Sequence, residues 1–221
     1  MKTYTRPEAI DTYGHAVTNI ARALQADIEN TTAQEVHEIH EPYIQEAERW
    51  VAKASPENGE PSVYIGTYHK YNNGSLFGMW VNLAAFSDYD DFMNFARALH
   101  SNEPDPEIML QDAQYFPDAY YSESPDREGI EKAIAFAALD DHDRELLEAY
   151  IEATSNNNAT IEEAQEAFVG EYDSHEDFAE SLYEEMGYEV PEWIGCHIDW
   201  KGLARDLMMD YYEENGYYFH A

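Results

Sequence analysis

The chain has 221 residues, 44% hydrophobic and 14% aromatic, enough apolar material for folded cores. Its 46 acidic and 12 basic side chains leave a formal charge of -34, which opposes compaction and excludes ordinary binding to nucleic acid, because a polyphosphate calls for a basic surface. The lone cysteine, Cys196, excludes an intrachain disulfide and reads as a small thiol in a reducing compartment; the amphipathic opening is unlike a secretory signal and no run approaches the roughly 20 apolar residues of a membrane span, so a soluble, cytoplasmic protein is expected.

Residues 7–54 predict a helical hairpin. Ile10, Tyr13, Val17, Ile20, Leu24 and Ile28 step by three and four, and Val36, Ile39, Tyr43, Ala47, Trp50, Val51 and Ala54 do the same, with Thr32-x-x-Glu35 as the cap that restarts the second helix. Ser55 to Pro61 reads as a linker. From Ser62 the period becomes two: Val63 to Tyr71 predicts a strand, Asn72-Asn73-Gly74 a tight hairpin turn, and Leu76 to Val81 the returning strand. Ser87-x-x-Asp90 predicts a helix cap, the helix runs to about His100, and Glu107–Gln111 offers a third strand. Residues 126–153 return to helical spacing, with Asp140 and Asp141 capping the second of two helices before Ser155 to Asn158 ends the region. Helices from Thr160 and Ser174, a strand over 167–172, and strands near Leu207–Tyr212 and Tyr217–His220 joined through Asn215-Gly216 complete the chain.

Little in this pattern carries catalytic or metal chemistry. His37-x-x-His40 would share one helix face but has no recognisable third ligand, and surface and seam histidines account for it. No EF-hand loop, nucleophile elbow or phosphate loop occurs. In a chain with 46 acids every carboxylate spacing is present, so paired carboxylates carry no signal. Neither a metal nor a cofactor is expected, and a carboxylate-dependent hydrolase is the weakest reading.

The acids themselves are the stronger feature. Thr160–Gly187 holds ten of them and no Lys or Arg, yet Ala164, Ala167, Phe168, Phe178, Ala179, Leu182 and Tyr183 give it a buried side, so its charges belong to an ordered surface. Duplex DNA carries one charge per roughly 1.7 Å of axis, whereas a helix with one acid in three residues carries one per about 4.5 Å, so two or three elements side by side are needed to approach it. A rigid polyanion of that kind would dock in a basic DNA-binding groove. General acidity for solubility and an acidic module for a basic DNA-associated protein are the other readings.

From Tyr64 to the C-terminus the chain resembles the ArdA antirestriction family of mobile genetic elements. The resemblance rests on Val63-Tyr64-Ile65 through Tyr71-Asn72-Asn73-Gly74-x-Leu76-x-Gly78-x-Trp80, on Glu107 to Asp112 followed by Phe116-Pro117, on the acidic block around Glu171–Glu185, and on Ile198-Asp199-Trp200-x-x-x-Ala204-Arg205-Asp206-Leu207. It implies a curved, elongated, non-catalytic protein of three small domains, a homodimer through its C-terminal region, whose acids imitate bent B-form DNA in the groove of type I restriction-modification enzymes, above all the methyltransferase core. The expected fold class is α+β: an N-terminal helical hairpin and linker (1–61), which departs from the family pattern, a first α+β domain (62–122), a central helical domain (123–158) and a C-terminal α+β domain (159–221). Carried onto residues, the mimic acids are Glu145, Glu148, Glu152, Glu162, Glu163, Glu166, Glu176, Asp177, Glu180, Glu184 and Glu185, and the dimer contacts are Phe168, Tyr172 and the terminal strands, unless these serve only the core.

Overall fold

The structure, a computed structural model, describes residues 6–187, 190, 192–195 and 197–221, with side chains from residue 12 onward apart from that of residue 192; Cys196 lies outside the described residues. The described residues form a mixed α+β fold with ten α-helices and two antiparallel three-stranded sheets. Packing divides the chain into two compact units, Met1–Leu139 and Asp140–Ala221.

The first unit runs α1 (Arg6–Glu29), α2 (Glu41–Ala54), β1 (Ser62–Thr67), α3 (Tyr68–Asn72), β2 (Met79–Asn82), α4 (Tyr89–Leu99), β3 (Ile108–Gln114) and α5 (Arg127–Ala137), with sheet order β2-β1-β3. The apolar seam of the hairpin closes on the sheet: Ala16, Val17, Ile20 and Ala21 of α1 and Ala47, Val51 and Ala54 of α2 share one buried cluster with Val63, Ile65, Val81, Phe92 and Phe95. Alanines along α1 and α2 let the helix backbones come close, and the aromatics of α4 fill the volume they leave. The boundary expected near residue 61 therefore falls inside this unit. The helices expected to form a central domain are divided, α5 in the first unit and α6 in the second.

Several local expectations are corrected. Thr32 and Glu35 do exchange hydrogen bonds, Thr32 N–H donating to Glu35 Oε2 at 2.9 Å, but they close a turn. The second helix begins at Glu41, behind His40 and with a proline in its first turn, where the missing N–H costs nothing. The helix cap expected at Ser87 is Asp88, which accepts the Asp91 N–H at 2.8 Å.

The largest correction concerns Asn72-Asn73-Gly74. Strands β1 and β2 pair antiparallel from Ser62↔Asn82 to Ile65↔Met79, but the intervening chain holds α3 and a loop instead of a tight turn. A two-residue type I′ turn needs two consecutive positive φ angles. Here Asn73 has φ -96° and only Gly74 is positive, at +79°. The Thr67 hydroxyl caps α3 by accepting the Lys70 N–H, and the Lys70 ammonium is spent in the interior, paired with Glu103 and bonded to Asn102 Oδ1 at 3.0 Å and His100 Nδ1 at 2.9 Å. Burial, then the Lys70 charge, pull the His100 pKa down to about 3, so the ring is neutral and can accept from the ammonium. With α3 held by this buried cluster, the chain turns at the helix end, Gly74 N–H donating to the Tyr71 carbonyl at 3.0 Å, and no two-residue hairpin links β1 to β2.

The second unit runs α6 (Asp141–Thr154), α7 (Ile161–Ala167), β4 (Phe168–Glu171), α8 (His175–Glu185), α9 (Glu192–Gly195), α10 (Trp200–Leu207), β5 (Tyr211–Glu214) and β6 (Tyr217–His220), with sheet order β4-β6-β5. The strand expected from Leu207 starts at Tyr211, because Trp200–Leu207 is helical behind an Asp199 cap. Between β5 and β6 the turn signal is fulfilled: Asn215 and Gly216 have φ of +53° and +86°, and Glu214 pairs with Tyr217. Strand alternation assigns the two sides of the sheet. Phe219 meets Tyr150 of α6 at 5.1 Å, whereas Tyr218 stacks on Phe178 of α8 at 4.5 Å. The unit is thus three layers, with α6 and α7 on one side of the sheet and α8 and α10 on the other.

Candidate functional site

The eleven acids singled out in the sequence fall on the two helical layers of the second unit. On the α6 side, Leu146, Leu147, Ala149 and Ile151 turn inward, which leaves Glu145 and Glu152 exposed and Glu148 half-buried between them. Helix α7 continues this flank with Glu162, Glu163 and Glu166, all exposed, and is tied to α6 by Gln165 Nε2 donating to Asp143 Oδ1 at 3.0 Å. On the opposite side, Phe178 and Ala179 bury the inner stripe of α8, so Asp177, Glu180, Glu184 and Glu185 are exposed and Glu176 is half-buried. The structure therefore brings these acids together as two groups on opposite flanks of one sheet.

Each group is held by local chemistry that the sequence announces. Thr160 and Glu163 form a complete capping box, with Thr160 N–H donating to Glu163 Oε2 at 3.0 Å and Glu163 N–H donating to the Thr160 hydroxyl at 3.3 Å. Ser174 accepts the Asp177 N–H at 3.1 Å and donates its hydroxyl to Asp177 Oδ2 at 2.7 Å. Carboxylates in the first turn also oppose the positive end of the helix dipole, which offsets part of their mutual repulsion.

Neutralisation is sparse. Residues 140–221 hold half of the chain's acids but only Arg144, Lys201 and Arg205 of its Lys and Arg. Arg144 is engaged by Asp141 at 2.6 Å and Arg205 by its neighbour Asp206 at 3.3 Å. Among the described residues, no Lys or Arg is ion-paired with any of the eleven acids. The field bears on protonation: partial burial, then Glu152 and Glu145, push the Glu148 carboxyl above its ordinary range. Burial, then Glu213, Glu176 and Asp177, push the Tyr218 hydroxyl up to about 12. Tyr217 donates to Glu145 Oε2 at 3.3 Å, and its own pKa is raised by burial, then by Glu171 and Glu145.

The spacing along each flank is informative. Helix α8 is 11 residues long, about 16 Å at a rise of 1.5 Å, and carries five of the acids, one per roughly 3.3 Å. Helix α7, seven residues with three acids, gives one per roughly 3.5 Å. One strand of duplex DNA carries a phosphate about every 3.4 Å of axis. Asp141 and Asp143 extend the α6 flank; the sequence identifies Asp141 only as a helix cap and does not single out Asp143, although both stand in the first turn of α6.

Phe168 and Tyr172 do not form one patch. Phe168 packs on Tyr217 and Phe219 at 6.0 and 6.1 Å, on the α6 side, and Tyr172 packs on Phe178 and Tyr218 at 5.3 and 5.4 Å, on the α8 side. Both are half-buried and flank β4, an edge strand of the sheet. The large apolar side chains most exposed in this unit are others: Met186, Trp193, Met209 and Tyr212. Met209 and Tyr212 fall in the run Leu207–Tyr212 that the sequence assigns to a strand, and nothing in that pattern marks which of its side chains stay exposed. His37 and His40 lie before α2 and so share no helix face, and no group of three or more His, Cys, Asp or Glu placed to hold a metal ion occurs among the described residues. No helix among them is long and apolar enough to cross a membrane.

Compared with known proteins, residues 63–219 match the family model described as antirestriction protein (ArdA). No curated protein matches the chain.

Proposed function

Because the chain belongs to the ArdA family of antirestriction proteins, which act against restriction enzymes, we propose that it inhibits type I restriction-modification enzymes by filling the groove of their methyltransferase core in place of DNA. The observation that carries this reading is the pair of carboxylate flanks in residues 140–221, which along α7 and α8 have an axial charge spacing near that of one strand of a duplex. The match covers residues 63–219, so the acids of both flanks lie within the family region. The proposed contacts are Glu145, Glu148, Glu152, Glu162, Glu163 and Glu166 on one flank and Glu176, Asp177, Glu180, Glu184 and Glu185 on the other. The action is occupancy, with no bond made or broken, and imitation of a bent rather than a straight duplex is part of the same proposal.

The protein is proposed to act as a homodimer in the cytoplasm. The open edge of β4 offers unpaired backbone groups to a second copy, with Phe168 and Tyr172 beside it. The finer division of the chain into three family domains behind the N-terminal hairpin stays with this proposal.

A displacement assay tests the reading. Purified full-length protein added to a type I methyltransferase bound to labelled duplex is expected to release the DNA at near-stoichiometric amounts, less well as salt rises, since the contacts are charged and exposed. Neutralising one acid is expected to change the displacement midpoint little, because an exposed ion pair contributes about 0.2–1 kcal/mol. Replacing Asp177, Glu180, Glu184 and Glu185 together by lysine is expected to slow association about tenfold or more. DNA that stays bound at excess inhibitor, while a histone-like basic protein is captured instead, would transfer the acids to a general module for basic DNA-associated proteins.

A further inference from the structure

The first unit contains a cavity of about 440 Å³ where α1 and the segment after α2 meet the side of the sheet turned away from the main core. Its walls come from two sources. Tyr13, Glu57 and Asn58 belong to the N-terminal 62 residues, outside the family match, and Tyr64, Trp80 and Tyr115 belong to the matched region. Neither part alone would enclose the space. Tyr64 and Trp80 face each other across paired strands, edge to face at 5.5 Å. Tyr115 is 55% exposed, follows β3 with φ +53°, and donates its hydroxyl to Asn58 Oδ1 at 3.2 Å, so it reaches from the sheet to the N-terminal segment. A bulky aromatic residue with positive φ is a costly conformation, and here it leaves the ring at the cavity mouth.

We propose that this cavity receives a guanidinium group, the side chain of an arginine presented by a partner protein. Four aromatic side chains, Tyr13, Tyr64, Trp80 and Tyr115, line the cavity, an aromatic surround that attracts a cation, and Glu57 at the wall adds a carboxylate of the matching sign. Asn58 Oδ1 adds a side-chain acceptor. The formal charge of -34 concentrates cations around the chain and repels carboxylates and phosphates, which sets the sign of the occupant. Guanidinium fits better than ammonium because it is planar, less strongly hydrated and stacks on rings. The volume also exceeds what a lone cation needs, leaving space for the backbone that carries it. The N-terminal hairpin and the linker after it then have a role beyond closing the core, since together they supply one side of a recognition pocket. This assignment does not depend on which enzyme the acidic flanks engage.

The test uses the full-length protein labelled with ¹⁵N, the Trp80 indole N–H resonance, and N-acetyl-arginine methylamide as probe. A saturable shift of that resonance is expected, with the uncharged citrulline analogue binding about tenfold more weakly. Free arginine is expected to bind more weakly than the capped form, because its carboxylate enters a negative field. Glu57→Gln, at an exposed position, should weaken binding several-fold, and so should Tyr115→Asn, a residue that accepts the positive φ and so keeps the backbone. An unmoved Trp80 resonance, equal binding of the citrulline analogue, or no effect of Glu57→Gln would overturn the proposal. Tighter binding of free arginine would make the cavity a small-molecule site and overturn its assignment to a protein partner.

Discussion

Glu148 shows how a single carboxyl registers the charge around it. It is half-buried on α6 with Glu145 and Glu152 within one turn on either side, and its pKa is raised first by burial and then by those two neighbours. A carboxyl that holds its proton more tightly in the folded state than in the unfolded one gains stability as the pH falls through the raised value and loses it again as the pH rises. Glu148→Gln is accordingly expected to stabilise the second unit at neutral pH by about 0.5 kcal/mol, since like charges four residues apart on a helix cost about 0.2–0.5 kcal/mol and the buried charge is removed with them. The gain should shrink as the pH falls into the carboxyl range. Urea titrations at pH 7.5 and pH 4 check this, and equal effects at both would refute the assignment. Sequence reasoning could name Glu148 from its spacing, because period alone decides which acids share a helix face. It could not find the Lys70, Glu103 and His100 cluster, in which Lys70 comes to His100 and Glu103 from 30 and 33 residues away in the chain.

At the level of elements, legibility follows how local the determining interaction is. The caps at Asp140, Thr160 and Ser174 were readable because both partners lie within three residues. The same turn dipeptide gave opposite outcomes. Asn215-Gly216 makes the expected hairpin turn, whereas Asn72-Asn73-Gly74 follows a short helix fixed by Lys70 in the interior. Tertiary burial of one ammonium overrode the local turn preference, and the buried partner was invisible in the sequence. The division of residues 126–153 between two units was hidden for a similar reason, because two helices of like pattern carry no mark of which sheet each will join. Helix α7 offers a direct check on the readable part. It has only seven residues, too few to hold itself together without its cap and its packing. Thr160→Ala is expected to cost about 0.5–2 kcal/mol and to raise hydrogen exchange over 161–167 ahead of the rest of the unit. Unchanged exchange there would mean that packing on α6 alone fixes the helix.

Considered whole, the molecule joins two units of different character. The first uses the N-terminal hairpin to complete a core around its sheet, and the second exposes carboxylates on both sides of its own. Composition alone announced the charge, and hydrophobic spacing announced that the charge would be ordered. That the acids separate onto two flanks could not be read from the sequence, because it depends on which side of the sheet α6 and α8 cover, and that is set by the alternation of Tyr218 and Phe219 along β6. The most direct test of the central claim is a cryo-electron-microscopy reconstruction of the full-length protein bound to a type I methyltransferase core without DNA. The account predicts that residues 140–221 lie in the DNA groove, with the carboxylates of α6, α7 and α8 against the basic side chains that otherwise hold phosphates. A complex in which that groove stays empty, with the protein seated on another face of the enzyme, would contradict it.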